Sequence, residues 1–143
     1  MWLQRQITLT AKPCSFHLIA DEVLSSRLEL KKIKTGLTHF TLQHTWASLS
    51  LNENADASVR RDLETHFIVV APESARYYKH IHEDEGDVPA HIKSSLLGSS
   101  LSVPICSDEF MLGTWQGLVL GEHRDAAGSH CVIATPYGEC NEI

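Results

Sequence analysis

Hydrophobic and polar positions along the chain follow two periods, which predict strands and helices in turn. Over residues 3–9 apolar and polar residues alternate, as in a strand with one buried face. Over residues 17–32 the apolar residues recur at helical spacing. The period returns to two over residues 40–44 and again over residues 48–51. These patterns predict a strand, a helix and then two further strands in the first third of the chain.

The middle of the chain is predicted to hold two more helices. Asn54 or Asp56 can cap a helix whose apolar residues continue to Phe67. The polar, acid-rich stretch 73–87 is predicted as a loop. Pro89 then opens a short helix that Gly98 ends, because proline favours the first helical turn and glycine follows the last.

The last third is predicted to be strands joined by short turns. Residues 101–105, 113–122 and 131–134 are the candidate strands, with turns at 107–108 and 124–129. Strands therefore outnumber helices and follow one another closely. We predict an α+β fold, a mainly antiparallel sandwich or barrel-like sheet with two or three helices, as one domain over residues 1–143.

Charge and composition exclude several classes of function. The net charge of −6 and the pI near 5.8 argue against nucleic acid as a partner, because phosphate backbones require a basic face. No segment approaches the roughly 18 apolar residues of a membrane span. The N-terminus lacks the apolar core of a secretory signal, and the four widely spaced cysteines suit reduced thiols. We therefore expect a cytoplasmic protein.

Nine histidines make up the unusual part of the composition, and several fall at the ends of predicted elements. His44 ends a strand, His91 lies in the first turn of the helix that Pro89 opens, and His123 lies at the rim of the strand 113–122. Catalytic metal sites are commonly assembled in this way. On position alone, however, separate local partners for each histidine are favoured over a shared site, and the pair His80 and His82 has little meaning within a loop.

Other polar residues lie close to these positions. Glu53 follows a strand and can act as a general base, while Asn52 or Asn54 can bind a ligand or, for Asn54, cap the helix. Arg124 can clamp a phosphate or carboxylate, or simply pair with a neighbouring acid.

Three long motifs carry a resemblance to a known family. They read LQHTWASLSLNENAD, PAHIKSSLLGSSLSVPI and GTWQGLVLGEHRDAAG. In order and spacing they resemble the YjbQ family of small bacterial and archaeal proteins, over nearly the whole chain. Two departures stand out: Gly86 replaces an acid usual before the proline, and Trp46 replaces a small residue usual after His-Thr.

The resemblance implies a compact β-rich fold, a homotrimer and a metal-containing pocket. It also implies secondary thiamine-phosphate synthase activity, in which a pyrimidine pyrophosphate and a thiazole phosphate are joined and pyrophosphate is released. By position the metal ligands are His80, rather than His82, together with His91 and His123. His44 then lies beside the metal and, with Glu53, carries out catalysis.

The implied reaction requires contacts to a small phosphorylated metabolite, and the polar residues of the chain offer them. Asn52, Lys93 and Arg124 are the expected substrate contacts. Three histidines suit Zn²⁺ or another transition metal, whereas a pyrophosphate usually requires Mg²⁺ on oxygen ligands, such as Glu53 or Asp87. Two alternatives stay open: a metal-dependent hydrolase of a phosphorylated or acylated metabolite, and a non-catalytic trimeric metal- or metabolite-binding protein.

Overall fold

Two antiparallel sheets form the body of the chain in the computed structural model, which describes residues 1–141. One sheet has five strands in the order β1-β8-β3-β5-β6, and the other has three in the order β2-β7-β4. The strands are β1 (Arg5–Thr8), β2 (Ser15–Leu18), β3 (Ile33–Leu42), β4 (Ala47–Glu53), β5 (Ser100–Cys106), β6 (Glu109–Phe110), β7 (Gln116–Glu122) and β8 (Cys131–Cys140). The predicted α+β class and the mainly antiparallel sheet are thereby confirmed.

Three α-helices accompany the sheets: α1 (Ala20–Ser25), α2 (Ala57–Val70) and α3 (Asp87–Leu97). Of the two cap candidates for α2, Asp56 caps the helix, because its Oδ1 accepts a hydrogen bond of 2.9 Å from the Ser58 amide. Helix α3 begins two residues before the predicted Pro89. Proline fits there because the first helical amides have no partner within the helix.

The helix predicted over residues 17–32 was largely wrong. Residues 15–18 form β2, α1 is only six residues long, and a 3₁₀ turn covers Leu30–Lys32. The apolar spacing did identify the buried Ile19 and Val23. The helix ends early because Arg27 and Glu29 adopt left-handed backbone angles, with φ of 60° and 59°. The strand predicted from residue 113 likewise begins only at Gln116, and the closing strand runs on to Cys140.

The hydrophobic core lies between the two sheets. It is formed by buried aliphatic and aromatic side chains of both sheets and of α1, among them Val23, Phe40, Leu49, Val103 and Leu120. The alternation that predicted these strands is therefore the pattern of the core itself. In the described part of the chain, no helix is long and apolar enough to cross a membrane.

The register of β4 against β7 fixes where polar groups collect. Ala47, at the start of β4, lies opposite Glu122, at the end of β7, and Glu53 lies opposite Gln116 at the other end. Helix α3 packs against β4, with Ala90 buried at this contact. Residues just before β4, just after β7 and along α3 are thus brought to one end of the smaller sheet.

Candidate metal centre and adjoining cleft

The side chains of His80, Asp87 and His91 meet beside the first turns of α3. Asp87 and His91 are four residues apart and share a face of the helix. Asp87 Oδ2 lies 2.8 Å from His80 Nε2 and 3.3 Å from His91 Nε2. Bonds of about 2.1 Å to one ion, at tetrahedral or octahedral angles, place ligand atoms roughly 3.0–3.4 Å apart. Both distances lie close to that range, and all three ligand atoms lie within 4.8 Å of one another, so the side chains can share one divalent ion. We call them the Asp87 cluster.

One oxygen of the central carboxylate in this cluster has no hydrogen-bond donor. Asp87 is 1% exposed, and its Oδ2 atom has no hydrogen-bond partner among residues 1–141. The two imidazole nitrogens approach at hydrogen-bond distance but not at hydrogen-bond angle. Because a buried carboxylate oxygen without a donor is costly, this geometry favours a cation between the three ligands. The residues present therefore fit a divalent metal.

Arg124 is hydrogen-bonded to the Asp87 carboxylate of the cluster. Its Nη1 donates to Asp87 Oδ1 at 3.1 Å, and its other terminal nitrogen pairs with the exposed Asp84. The guanidinium carbon lies 3.9 Å from the centre of the Trp46 ring, which adds a cation–π contact. The predicted phosphate clamp is thus already engaged, and its clearest effect is to orient the carboxylate of Asp87.

His44 contacts Trp46, whose ring centre lies 6.5 Å from that of His91, and it is not part of the Asp87 cluster. Its Nδ1 accepts a hydrogen bond of 3.1 Å from the Trp46 amide, and its ring centre lies 4.3 Å from that of His130. Burial, and then the neighbouring His130, lower the pKa of His44 below its ordinary value. The ring is therefore neutral at pH 7, with its proton on Nε2.

His123 does not lie with His80 and His91, the two histidines with which it was predicted to bind a metal. Asp87 is the third member of the cluster that the structure forms. His123 is 3% exposed, and its Nε2 lies 2.8 Å from Ser48 Oγ on β4. Its backbone amide donates to the Trp46 carbonyl, which fixes the residue beneath α3. Gly121 makes room for this contact, because a Cβ there would lie 2.5 Å from Ser48 Oγ.

Asn52 and Glu53 lie far from the Asp87 cluster within this chain. They occupy the last two positions of β4, whereas Trp46, just before its first residue, has its ring centre 6.5 Å from that of His91. Six residues of strand span about 20 Å. Glu53 Oε1 accepts from the Asp56 amide at 3.4 Å, and Asn52 Oδ1 accepts from the Glu53 amide at 2.8 Å. Both side chains therefore have local structural partners, and their predicted roles in catalysis and substrate binding stay predictions.

A buried acid–imidazole pair was missed by the sequence reasoning. Glu122 is fully buried and His130 almost so; Oε2 of the acid is hydrogen-bonded to Nε2 of the imidazole. The other oxygen, Oε1, accepts from the Arg124 amide at 3.1 Å. No local signal marks His130, because it precedes β8 and meets Glu122 only through the fold. The Glu122–His130 pair holds in place the ring on which His44 rests.

A cleft of about 810 Å³ opens on the other flank of α3, between this helix and the end of α2. Lys93, the predicted phosphate contact, lines it together with Cys14, Glu64 and His123. Cys14 Sγ lies 3.5 Å from Glu64 Oε1, and burial, followed by that carboxylate, raises the pKa of the thiol to about 12. Cys14 is therefore a neutral hydrogen-bond donor in this cleft.

Because His123 is buried, we expect the free energy of unfolding to fall in acid. Burial, and then the Lys93 ammonium, lower its pKa from 6.5 to about 3. Between these values the unfolded chain binds a proton that the folded chain does not, so the free energy of unfolding decreases as the pH falls. From pH 6.5 to 4.5 we expect His123 to account for a loss of about 2 kcal/mol.

Urea unfolding at the two pH values measures this effect. His123→Leu should lose about 2 kcal/mol less than the wild type over the same interval, whereas the exposed control His82→Gln should match the wild type. Identical losses in His123→Leu and the wild type would contradict the assignment.

Comparison with known proteins gives the relationship of the chain. Residues 5–139 match the family described as UPF0047 protein YjbQ-like. The chain belongs to this family. It is 51% identical to UPF0047 protein YjbQ of Salmonella typhimurium and 48% identical to that of Escherichia coli O157:H7. Each match spans 97% of this chain and all of the relative.

Solved structures of UPF0047 proteins share the fold. An uncharacterised conserved protein of the family from Clostridium acetobutylicum is 32% identical, with a TM-score of 0.80 over 93% of this chain and 99% of its own. A YbjQ-like protein of unknown function from Sulfolobus solfataricus reaches a TM-score of 0.83 over 97% of this chain and 99% of its own, at 22% identity. The resemblance to the YjbQ family is thus confirmed.

Proposed function

We propose that the chain is a metal-dependent enzyme acting on a small phosphorylated metabolite, with thiamine phosphate synthesis as its reaction. The observation that carries the proposal is the Asp87 cluster, in which a buried carboxylate oxygen without a donor faces two imidazole nitrogens at ligand spacing. The reaction itself is suggested by the resemblance to the YjbQ family. The cleft on the other flank of α3 offers a place for substrate.

His80, Asp87 and His91 would hold the metal. A bound divalent ion would supply charge neutralisation for a departing pyrophosphate. Two imidazoles and one carboxylate suit Zn²⁺ or another transition metal better than Mg²⁺, which prefers oxygen ligands throughout. The mixed donor set replaces the three histidines expected from the resemblance.

Residues outside the metal site would bind the substrate and orient the metal ligands. In the proposed reaction a C–N bond forms and the C–O bond to pyrophosphate breaks, so the leaving group needs hydrogen-bond donors. Neutral His44 offers its Nε2–H, which suits a donor to departing oxygen better than a general base. Lys93 offers a cation to a phosphate, while Arg124 keeps Asp87 in place.

A second candidate is metal-dependent hydrolysis of a phosphorylated or acylated metabolite. The donor set favours it, because two histidines with one carboxylate is a ligand set of zinc hydrolases. The products separate the two candidates: hydrolysis releases a substrate fragment without joining the pyrimidine and thiazole. A non-catalytic binding protein would give saturable binding and no product.

Genetic rescue tests the proposal. In a bacterial strain that lacks its thiamine-phosphate synthase, we expect the wild-type chain and His82→Ala to restore growth without thiamine, and His91→Ala to fail. Metal content of the untagged purified proteins should follow the same order. Rescue by His91→Ala equal to the wild type would exclude the Asp87 cluster, and failure of the wild type would exclude the thiamine reaction.

The homotrimer implied by the resemblance belongs to the same proposal. Apolar side chains at the end of α2 (Ile68, Val69 and Val70) are exposed in the single chain, as large subunit contacts would require. Analytical ultracentrifugation measures the assembly directly: three times the 15.9 kDa chain mass is expected, and a monomer at all concentrations would contradict it.

A further inference from the structure

The cleft between α2 and α3 holds two opposite charges that do not meet. Glu64 lies on α2 and Lys93 on α3, and both line the cavity. Within residues 1–141, no carboxylate lies within 4.0 Å of the Lys93 ammonium and no hydrogen bond reaches it. Yet Lys93 is only 5% exposed. The ammonium group itself keeps access to the cleft, where a cation without a counter-ion favours an anion placed against it.

On the opposite wall of the cleft, formed by α2, a carboxylate lacks a strong hydrogen-bond donor. Glu64 Oε2 is enclosed and accepts no hydrogen bond, while Oε1 has only the weak thiol donor of Cys14. A carboxylate in this state favours an N–H donor. Between the two walls lies His123, whose enclosed Nδ1 also has no partner in the described chain.

The rim of the cleft disfavours a purely anionic ligand. Glu73, Glu85 and Asp125 line it, and Arg124 is already paired with two acids, so the free charges are mainly negative. A simple phosphate or carboxylate would be repelled there, unless it carried a positive group of its own. The Lys93 ammonium at the floor of the cleft and the carboxylates around it are complementary in charge to a molecule that carries both an anionic and a cationic group.

We propose that this cleft binds a small zwitterion, with its phosphate or carboxylate on Lys93 and an amino group on Glu64. The site needs neither the Asp87 cluster nor a metal, because none of its charged residues belongs to that cluster. It shares the cleft and Lys93 with the proposed function, and it goes beyond that function by assigning Glu64 and a ligand that carries both charges. A cavity of about 810 Å³ accommodates a molecule of this size.

Four small probes test the proposal by NMR titration on the EDTA-dialysed full chain. Phosphoethanolamine carries both charges, ethyl phosphate lacks the amine, and ethanolamine lacks the anion, while β-alanine replaces phosphate with carboxylate. We expect phosphoethanolamine to bind about ten-fold more tightly than ethyl phosphate or ethanolamine, because each charge-assisted contact contributes about that factor. Comparison with β-alanine tells which anion the site prefers.

Substitutions separate the two walls. Lys93→Met should weaken both phosphate probes by about ten-fold, while Lys93→Arg, which keeps the charge, should retain most of the affinity. Glu64→Gln should remove only the preference for the amine. The exposed variants Glu139→Gln and His82→Gln, which lie outside the cleft, are the controls, and both should keep that preference.

Three results would overturn the proposal. They are no preference for the amine in the wild type, phosphate binding in Lys93→Met equal to the wild type, and an unchanged amine preference in Glu64→Gln. Circular dichroism of each variant ensures that folded proteins are compared. Because the titrations contain no metal, loss of the cleft site and loss of the proposed metal-dependent function would be seen separately.

Discussion

Replacing Asp87 by asparagine is expected to lower the affinity of the chain for Zn²⁺ or Co²⁺ by about 100-fold or more. Removing even an outer-shell partner of a metal ligand costs roughly 10–100-fold, and Asp87 would itself be a ligand. The amide loses the negative charge that faces His80 and His91, and it weakens the ion pair with Arg124. Competition against a chromophoric chelator measures the affinity.

Asp84→Asn is the matched control for this experiment. Asp84 pairs with the same guanidinium, but its side chain is largely exposed and lies outside the Asp87 cluster. We expect its metal affinity to change by no more than about three-fold, because exposed ion pairs contribute about 0–1 kcal/mol. Equal affinities for Asp87→Asn and the wild type would remove the Asp87 cluster as a metal site.

The second large effect is expected in stability. Glu122→Ala should reduce the free energy of unfolding by about 3–5 kcal/mol, the usual cost of removing one partner of a buried pair. The substitution leaves the buried His130 ring without its acceptor and deprives the Arg124 amide of Oε1. Urea unfolding, with the slope compared to the wild type, gives the value.

Two further variants separate pairing from simple charge. Glu139→Gln alters an exposed acid that lies 3.8 Å from Lys34, and it should change stability by less than about 0.5 kcal/mol. The double variant Glu122→Leu with His130→Met should recover much of the loss, because apolar replacement of a whole buried pair is often neutral. A loss below about 1 kcal/mol in Glu122→Ala would show that the pair is not a structural element.

The sheets could be predicted from the sequence because apolar and polar residues alternate along a strand that has one buried face. Phe40, Leu42 and Leu49 are core residues, and all lie in alternating runs. The end of α1 could not be predicted in this way. Its apolar spacing continues past Ser25, whereas the chain turns at Arg27 and Glu29 through left-handed backbone angles that no periodicity reports.

The candidate site was predictable only where its residues are close along the chain. Asp87 and His91 are four residues apart, so spacing predicts their shared face once the helix is known to begin at Asp87. The predicted start at Pro89 left the acid in the loop, where it was considered only for Mg²⁺. His123 needed more: its side depends on the strand pairing that brings Ser48 against it. The resemblance grouped His123 with His80 and His91 as a metal ligand, because a shared motif does not tell in which direction a side chain points.

Trp46 gives this chain a built-in optical probe. Its ring lies beneath the Arg124 guanidinium and 6.5 Å, centre to centre, from His91, whereas Trp2 and Trp115 are 74% and 66% exposed. Indoles that are shielded from water emit at shorter wavelength, so the blue edge of the fluorescence spectrum belongs mainly to Trp46. A paramagnetic ion in the Asp87 cluster would quench that edge first, while the red emission of the two exposed indoles persists.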